Sequence, residues 1–264
     1  MVSEIDSLGS SFYDFLLRDH THLLPRIPAE SSAFSQETLG KVPHGTTVLA
    51  LKFRDGVVIG GDRMATEGYQ VSARRIEKVY KTDDYSAIAI AGAAGPCLEM
   101  ARLFQTELEH YEKLEGAQLS TEGKANKLAQ MVKGNLPLAM QGLMVVPIFA
   151  GYDLYKDEGR IFKYDVTGGR YEETDYYATG SGGKDARSTM KKSFKKKMTQ
   201  EESIRLALEA LYEASDEDIG TGGPDLIREI YPTIKLITRQ GISDVEPSYI
   251  RTVYTDLLNQ PRGE

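Results

Sequence analysis

Three side chains of this 264-residue sequence have the types and spacing to break an amide bond. Thr46 follows Gly45 and opens the stretch Thr46-Thr47-Val48-Leu49-Ala50-Leu51. Asp62 ends the apolar run Val57-Val58-Ile59-Gly60-Gly61, and Lys78 lies in Arg74-Arg75-Ile76-Glu77-Lys78-Val79-Tyr80. A threonine hydroxyl alone is a weak nucleophile. If the Gly45–Thr46 bond is cut, Thr46 gains an α-amine of pKa roughly 7.7–8.0, partly neutral near neutrality and able to act as the hydroxyl's own base. A lysine charge beside the hydroxyl favours loss of its proton, and an aspartate holds that lysine charged and in place. The plain alternative is an ordinary strand threonine and a structural ion pair, which at a surface is worth ~0–1 kcal/mol and needs no threonine.

The elements around these residues read as follows. Residues 47–53 alternate as a strand, Arg54-Asp55-Gly56 turns, and residues 57–61 return. Ala65-Thr66-Glu67-Gly68 reads as a loop. A second hairpin spans Lys78–Lys81 and Tyr85–Ala91, the latter strand apolar on both faces and so buried. Gly92-Ala93-Ala94-Gly95-Pro96 leads into a helix of about 18 residues, and a second helix is predicted over roughly 122–140. Strands follow at 144–152, 160–165 and 176–179, then helices over 184–195 and 200–214. Strands at 233–238 and 244–246 and a helix over 248–258 close the chain. Two helices in succession between groups of strands are not a βαβ repeat. The order suits an α+β fold, a four-layer αββα sandwich.

With Thr46, Asp62 and Lys78 at offsets of sixteen and thirty-two, His44-Gly45 in front and Gly222-Gly223-Pro224-Asp225 later, the chain resembles the proteasome core-particle β subunits, most closely the bacterial (actinobacterial) type. The resemblance covers nearly all of residues 46–260 and implies the same αββα sandwich, that of the N-terminal-nucleophile hydrolases. It implies a threonine endopeptidase in which Thr46, Asp62 and Lys78 act together, the Gly92 N–H meets the oxyanion, and Ser181, Asp218 and a hydroxyl three residues on orient the amine. That last position is Thr221 here instead of serine. Cleavage between Gly45 and Thr46 implies a propeptide, 1–45, and a catalytic domain, 46–264. Ala65, Ile76, Ile90 and Ala94 fall where the family builds the pocket for the residue before the scissile bond. All four are apolar, so an apolar or aromatic residue is expected there; the plain alternative is that they are core. The implied partners are α subunits, other β subunits in a seven-membered ring, a ring-shaped ATPase unfoldase acting indirectly, and polypeptide substrates. No metal or cofactor is implied. A shorter two-ring bacterial threonine protease, a small-molecule amidase of the same fold and a non-catalytic ring subunit are the competing readings.

Composition agrees with an ordinary soluble protein: 41% hydrophobic, 27% charged, net charge −7. No overall basic field points to nucleic acid. Lys191-Lys192-Ser193-Phe194-Lys195-Lys196-Lys197 is a dense basic run, expected as a solvated helix end. One cysteine, Cys97, precludes an internal disulfide and is expected to be a small buried residue near a helix start. Only His110 follows Thr46, against a Ser-His or Cys-His hydrolase and a histidine-rich metal site. Gly180-Ser181-Gly182-Gly183 lacks the Lys-Thr of a phosphate-binding loop. Residues 1–45 carry a possible short helix over 12–18 followed by turn-rich chain. The start resembles no signal peptide, and no run reaches the ~18–20 apolar residues of a membrane span, so a cytoplasmic protein is expected.

Overall fold

The computed structural model describes residues 45–68 and 70–259, which belong to a compact unit spanning Gln36–Glu264. The helix expected over 12–18 and the turn-rich stretch after it lie outside the described residues.

Strands β1 (Thr47–Phe53), β2 (Gly56–Gly61), β3 (Ala65–Glu67), β4 (Gln70–Ala73), β5 (Val79–Asp83) and β6 (Ser86–Gly92) come first. Helices α1 (Ala94–Glu115), α2 (Thr121–Gly134) and α3 (Leu136–Ala139) follow. Next come β7 (Val145–Asp153), β8 (Glu158–Tyr164), β9 (Arg170–Glu173) and β10 (Tyr176–Gly180). Helices α4 (Gly183–Ser193) and α5 (Gln200–Glu217), strands β11 (Thr233–Thr238) and β12 (Gly241–Asp244), and helix α6 (Pro247–Asn259) complete the described chain.

One five-stranded sheet has the order β10-β1-β2-β11-β12 and the other β5-β6-β7-β8-β9; every pairing is antiparallel. Strand alternation splits the buried residues into three layers. On β1, Leu49, Leu51 and Phe53 face α4, α5 and α6, with Ala186, Met190, Leu208 and Tyr254. Val48 and Ala50 point the other way, towards Ala87, Ala89, Ala91, Ile148 and Ile161 of the second sheet. On that sheet Ile88, Ile90, Phe149 and Phe162 face α1 and α2 through Phe104, Leu108 and Leu128. Helices, sheet, sheet, helices: this is the expected αββα sandwich.

The second helix of the second pair, α5, is capped at its start. Thr199 accepts the Glu202 N–H, and Glu202 returns a bond to the Thr199 N–H, a reciprocal cap that fixes where α5 begins. The first pair is tied to its sheet by ions. Arg160, 2% exposed, reaches Asp153 on β7, Glu172 on β9 and Glu122 on α2. Lys124 of α2 pairs with Asp83 of β5 at 2.8 Å.

Several expected boundaries shift. Residues 65–68 are not simply a loop, because β3 pairs with β4 in a small separate hairpin. The helix expected over 122–140 breaks after Gly134: Pro137 has no N–H and its ring opposes the carbonyl four residues back, so only the one-turn α3 follows. The last strand lies at Gly241–Asp244 and not at 244–246, because Arg239-Gln240 makes a tight turn and Gly241 takes φ +107°. The five lysines of the basic run are exposed around the end of α4. Among the described residues no helix is long and apolar enough to cross a membrane.

Candidate active site

Antiparallel pairing brings the start of β1, the end of β2 and the end of β10 to one end of the first sheet, since Val48 pairs with Gly61 and Thr47 with Gly180. The start of β5 and the end of β6 come to the same end of the second sheet. Thr46, Asp62 and Ser181 therefore meet Lys78 and Gly92 across the sandwich.

Asp62 is fully buried and all its bonds are accounted for. Oδ1 accepts the Thr47 N–H at 2.8 Å and the Lys78 ammonium at 2.6 Å; Oδ2 accepts the N–H groups of Met64 at 3.0 Å and Gly222 at 2.9 Å. Four donors on one carboxylate make it the fixed point of the site. Lys78, 5% exposed, donates also to the carbonyl oxygens of Met64 and of Gly45, the latter at 3.0 Å. Its three ammonium donors thus have three acceptors. Burial pulls its pKa below that of an ordinary lysine, and the Asp62 charge and hydrogen bond oppose that pull.

Thr46 is 7% exposed. Its hydroxyl donates to the Gly45 carbonyl oxygen at 2.6 Å, so the Thr46 hydroxyl and the Lys78 ammonium converge on one carbonyl oxygen. Gly45 has φ +99°, and a Cβ there would lie 2.5 Å from Thr66 Oγ1 and 2.8 Å from Gly220 O. The Ser181 N–H donates to Thr46 O at 2.8 Å, and Ser181 Oγ accepts from the Thr46 N–H at 3.3 Å. Thr221 Oγ1 donates to Asp218 Oδ2 at 2.6 Å, and its other hydroxyl partner is Thr47. Asp218 and Thr221 thus reach the start of β1 through Thr47, while the Thr46 N–H is bonded to Ser181 Oγ.

A small cleft is lined by Gly45, Thr46, Lys78, Gly92 and all four residues singled out for the pocket, Ala65, Ile76, Ile90 and Ala94. Three further lining residues, Glu77, Tyr80 and Cys97, were not singled out for it. Burial raises the Cys97 thiol to about 12, and burial with the nearby Glu77 charge raises the Tyr80 phenol to about 12. Both are neutral near neutrality, so neither adds a charge to the wall. Gly92, at φ +135°, ends β6 beside α1, whose N-terminus carries no side-chain cap. A Cβ on Gly92 would fall 2.0 Å from Met144 O, a backbone atom that cannot yield.

A two-sheet sandwich with a threonine heading its first strand also defines what this chain is similar to. The sequence pattern of the family described as Proteasome subunit matches residues 42–227, and the chain belongs to that family. A protein of Acidimicrobium ferrooxidans named proteasome subunit beta is 55% identical over 94% of this chain and 89% of its own length. Proteins of the same name from Streptomyces griseus and Acidothermus cellulolyticus are 50% and 51% identical, over 97% and 88% of this chain and 91% and 80% of their own.

Proposed function

We propose that the chain is a catalytic β subunit of a proteasome core particle, a threonine-type endopeptidase made as a precursor, with residues 1–45 as propeptide and 46–264 as catalytic domain. The observation that carries this reading is the shared target of Thr46 Oγ1 and Lys78 Nζ, the Gly45 carbonyl oxygen. The Thr46 oxygen attacks the Gly45 carbonyl carbon, and charge developing on the carbonyl oxygen meets the ammonium. The C–N bond breaks, its nitrogen takes the hydroxyl's proton, and an ester remains. Water hydrolyses the ester, freeing the Gly45 carboxylate and the Thr46 amine and hydroxyl.

The freed threonine cleaves polypeptides in the same way through an acyl-enzyme. Its amine is the base, Lys78 held by Asp62 favours the alkoxide, and the Gly92 N–H receives the oxyanion. Ser181, Asp218 and Thr221 orient the amine. Ala65, Ile76, Ile90 and Ala94 receive the side chain before the cut bond. The reaction uses no metal or cofactor. The subunit works in the cytoplasm in a seven-membered β ring against α subunits, and a ring-shaped ATPase delivers unfolded substrate.

Intact mass of the chain co-expressed with its α partner, beside Thr46→Ala, tests this. Loss of residues 1–45 from the parent alone is expected. Assembled particles that keep them in both would make the chain a non-catalytic ring subunit.

A further inference from the structure

Thr47, the residue after the nucleophile, is wholly buried and lies in a chain of hydrogen bonds whose direction follows from counting protons. Thr221 Oγ1 stands 2.6 Å from Asp218 Oδ2 and 2.6 Å from Thr47 Oγ1. A carboxylate can only accept, so the single hydroxyl proton of Thr221 goes to Asp218. Thr47 is therefore the donor to Thr221. Its own oxygen accepts the Gly182 N–H at 3.0 Å. The order is Gly182 N–H to Thr47 hydroxyl to Thr221 hydroxyl to Asp218 carboxylate, each bond polarising the next.

The junction is closed on all sides. A Cβ on Gly182 would meet Thr47 Oγ1 at 2.6 Å, Thr221 Oγ1 at 2.7 Å and the Ala214 Cβ at 3.0 Å. Gly182 follows Ser181 in the turn after β10. Two successive N–H groups of that turn bond to the start of the first strand, the Ser181 N–H to Thr46 O and the Gly182 N–H to Thr47 Oγ1. The first is a main-chain bond that any residue at 46 would make. The second depends on a hydroxyl at 47 that accepts on one side and donates on the other.

We infer that Thr47 is a positioning residue for the peptidase reaction: through its hydroxyl, Asp218 and Thr221 set where the Ser181 turn stands against the nitrogen of Thr46. This rests on Thr46 being the nucleophile as proposed above. Valine has the shape but neither donor nor acceptor; it strands a buried N–H and a buried hydroxyl oxygen. Serine keeps both functions.

The test uses the full chain assembled with its α partner. Thr47→Val, Thr47→Ser and Thr221→Val are compared with Thr82→Val. Thr82 is a buried threonine on β5, bonded to Ser86 and not among the residues that line the cleft. The readouts are the rate of leader loss by intact mass, kcat and KM on an apolar fluorogenic peptide, and the unfolding midpoint. For Thr47→Val, leader loss and kcat should fall about tenfold, as for one buried hydrogen bond, with KM little changed. Thr221→Val should lose as much, and the double variant no more than either alone. Thr47→Ser should restore kcat to within about threefold of the parent. Thr82→Val should lower the midpoint and leave kcat as it is.

Parent-like kcat in Thr47→Val or Thr221→Val overturns the inference. So does a loss in Thr47→Ser equal to that in valine, or a change in KM alone. If Thr47→Val does not assemble, Thr221→Val and Thr47→Ser decide. A parent that neither processes nor cleaves sinks the peptidase reading instead, whereas an active parent with indifferent variants sinks only this one.

Discussion

The Lys78 ammonium donates to the Gly45 carbonyl oxygen at 3.0 Å while holding Asp62 at 2.6 Å, so one charge spans the Gly45 carbonyl and the buried carboxylate behind it. Lys78→Met removes that charge and leaves Asp62 buried with three N–H donors. Leader loss and peptide cleavage should both fall by at least about a thousandfold, the scale of a lost preorganised charge at a developing oxyanion. A gel time course and a fluorogenic assay measure the two. Loss of only one of them would mean that the two reactions use the lysine differently.

Gly45 predicts the opposite pattern. At φ +99° with Thr66 Oγ1 and Gly220 O pressing on the site of a Cβ, Gly45→Ala distorts the carbonyl from its place between Thr46 and Lys78. Self-cleavage should slow by about a hundredfold, as for a misplaced reacting group. Molecules that do mature no longer carry residue 45 and should show the parent's kcat. A lowered kcat in matured Gly45→Ala would contradict this.

The apolar wall of the cleft predicts specificity. Ala65, Ile76, Ile90, Ala94 and Cys97 offer no charge, and the Glu77 carboxylate already accepts from the Val79 N–H and the Thr233 hydroxyl. Peptides with leucine, phenylalanine or tyrosine before the cut should be favoured over those with glutamate or arginine by about tenfold or more in kcat/KM. Preference for a charged residue would exclude this cleft as the subsite.

Cys97 predicts a pH dependence. Burial raises its thiol to about 12, so the folded chain keeps a proton that the unfolded chain releases from roughly pH 8.5 upward. Whatever stability this group confers is intact below that pH and is lost as pH climbs towards the folded value. Denaturant midpoints should therefore decline between about pH 8.5 and 11, and Cys97→Ala should flatten the decline while lowering the plateau through the cavity it opens. An unchanged alkaline slope in that variant would count against it.

Arg160→Met tests the ion cluster under α2. It leaves the Asp153 carboxylate, 6% exposed as a residue, without its cation, while Glu122 and Glu172 can turn to water. A loss of about 3 kcal/mol is expected, the low end for breaking a buried pair, read by denaturant unfolding of the assembled protein.

Which of these features could be read from sequence follows from how far apart their parts lie. Asp62 and Lys78 were legible because they stand at fixed offsets from Thr46, Asp62 just after the apolar run of β2 and Lys78 just before β5. Ala65, Ile76, Ile90 and Ala94 came from resemblance, and the cleft contains them. Tyr80 and Cys97 were not assigned to it, because an aromatic in a strand and a cysteine in a helix look like core in any sequence. Thr47 was hidden for a related reason: a β-branched residue opening a strand needs no further explanation, and its partner Thr221 lies 174 positions away. The β3–β4 hairpin escaped because Gln70–Ala73 is mostly exposed and shows no apolar alternation.

The strand ladder of β1 begins at Thr47, opposite Gly180, and the main-chain carbonyl of Thr46 is bonded forward to Ser181. The Gly45–Thr46 bond therefore lies outside the woven part of the sheet, like a perforation beside a seam. Tearing there removes no rung. If the bond is cut as proposed, the framework is expected to stay one object before and after, a latch that releases once without a spring.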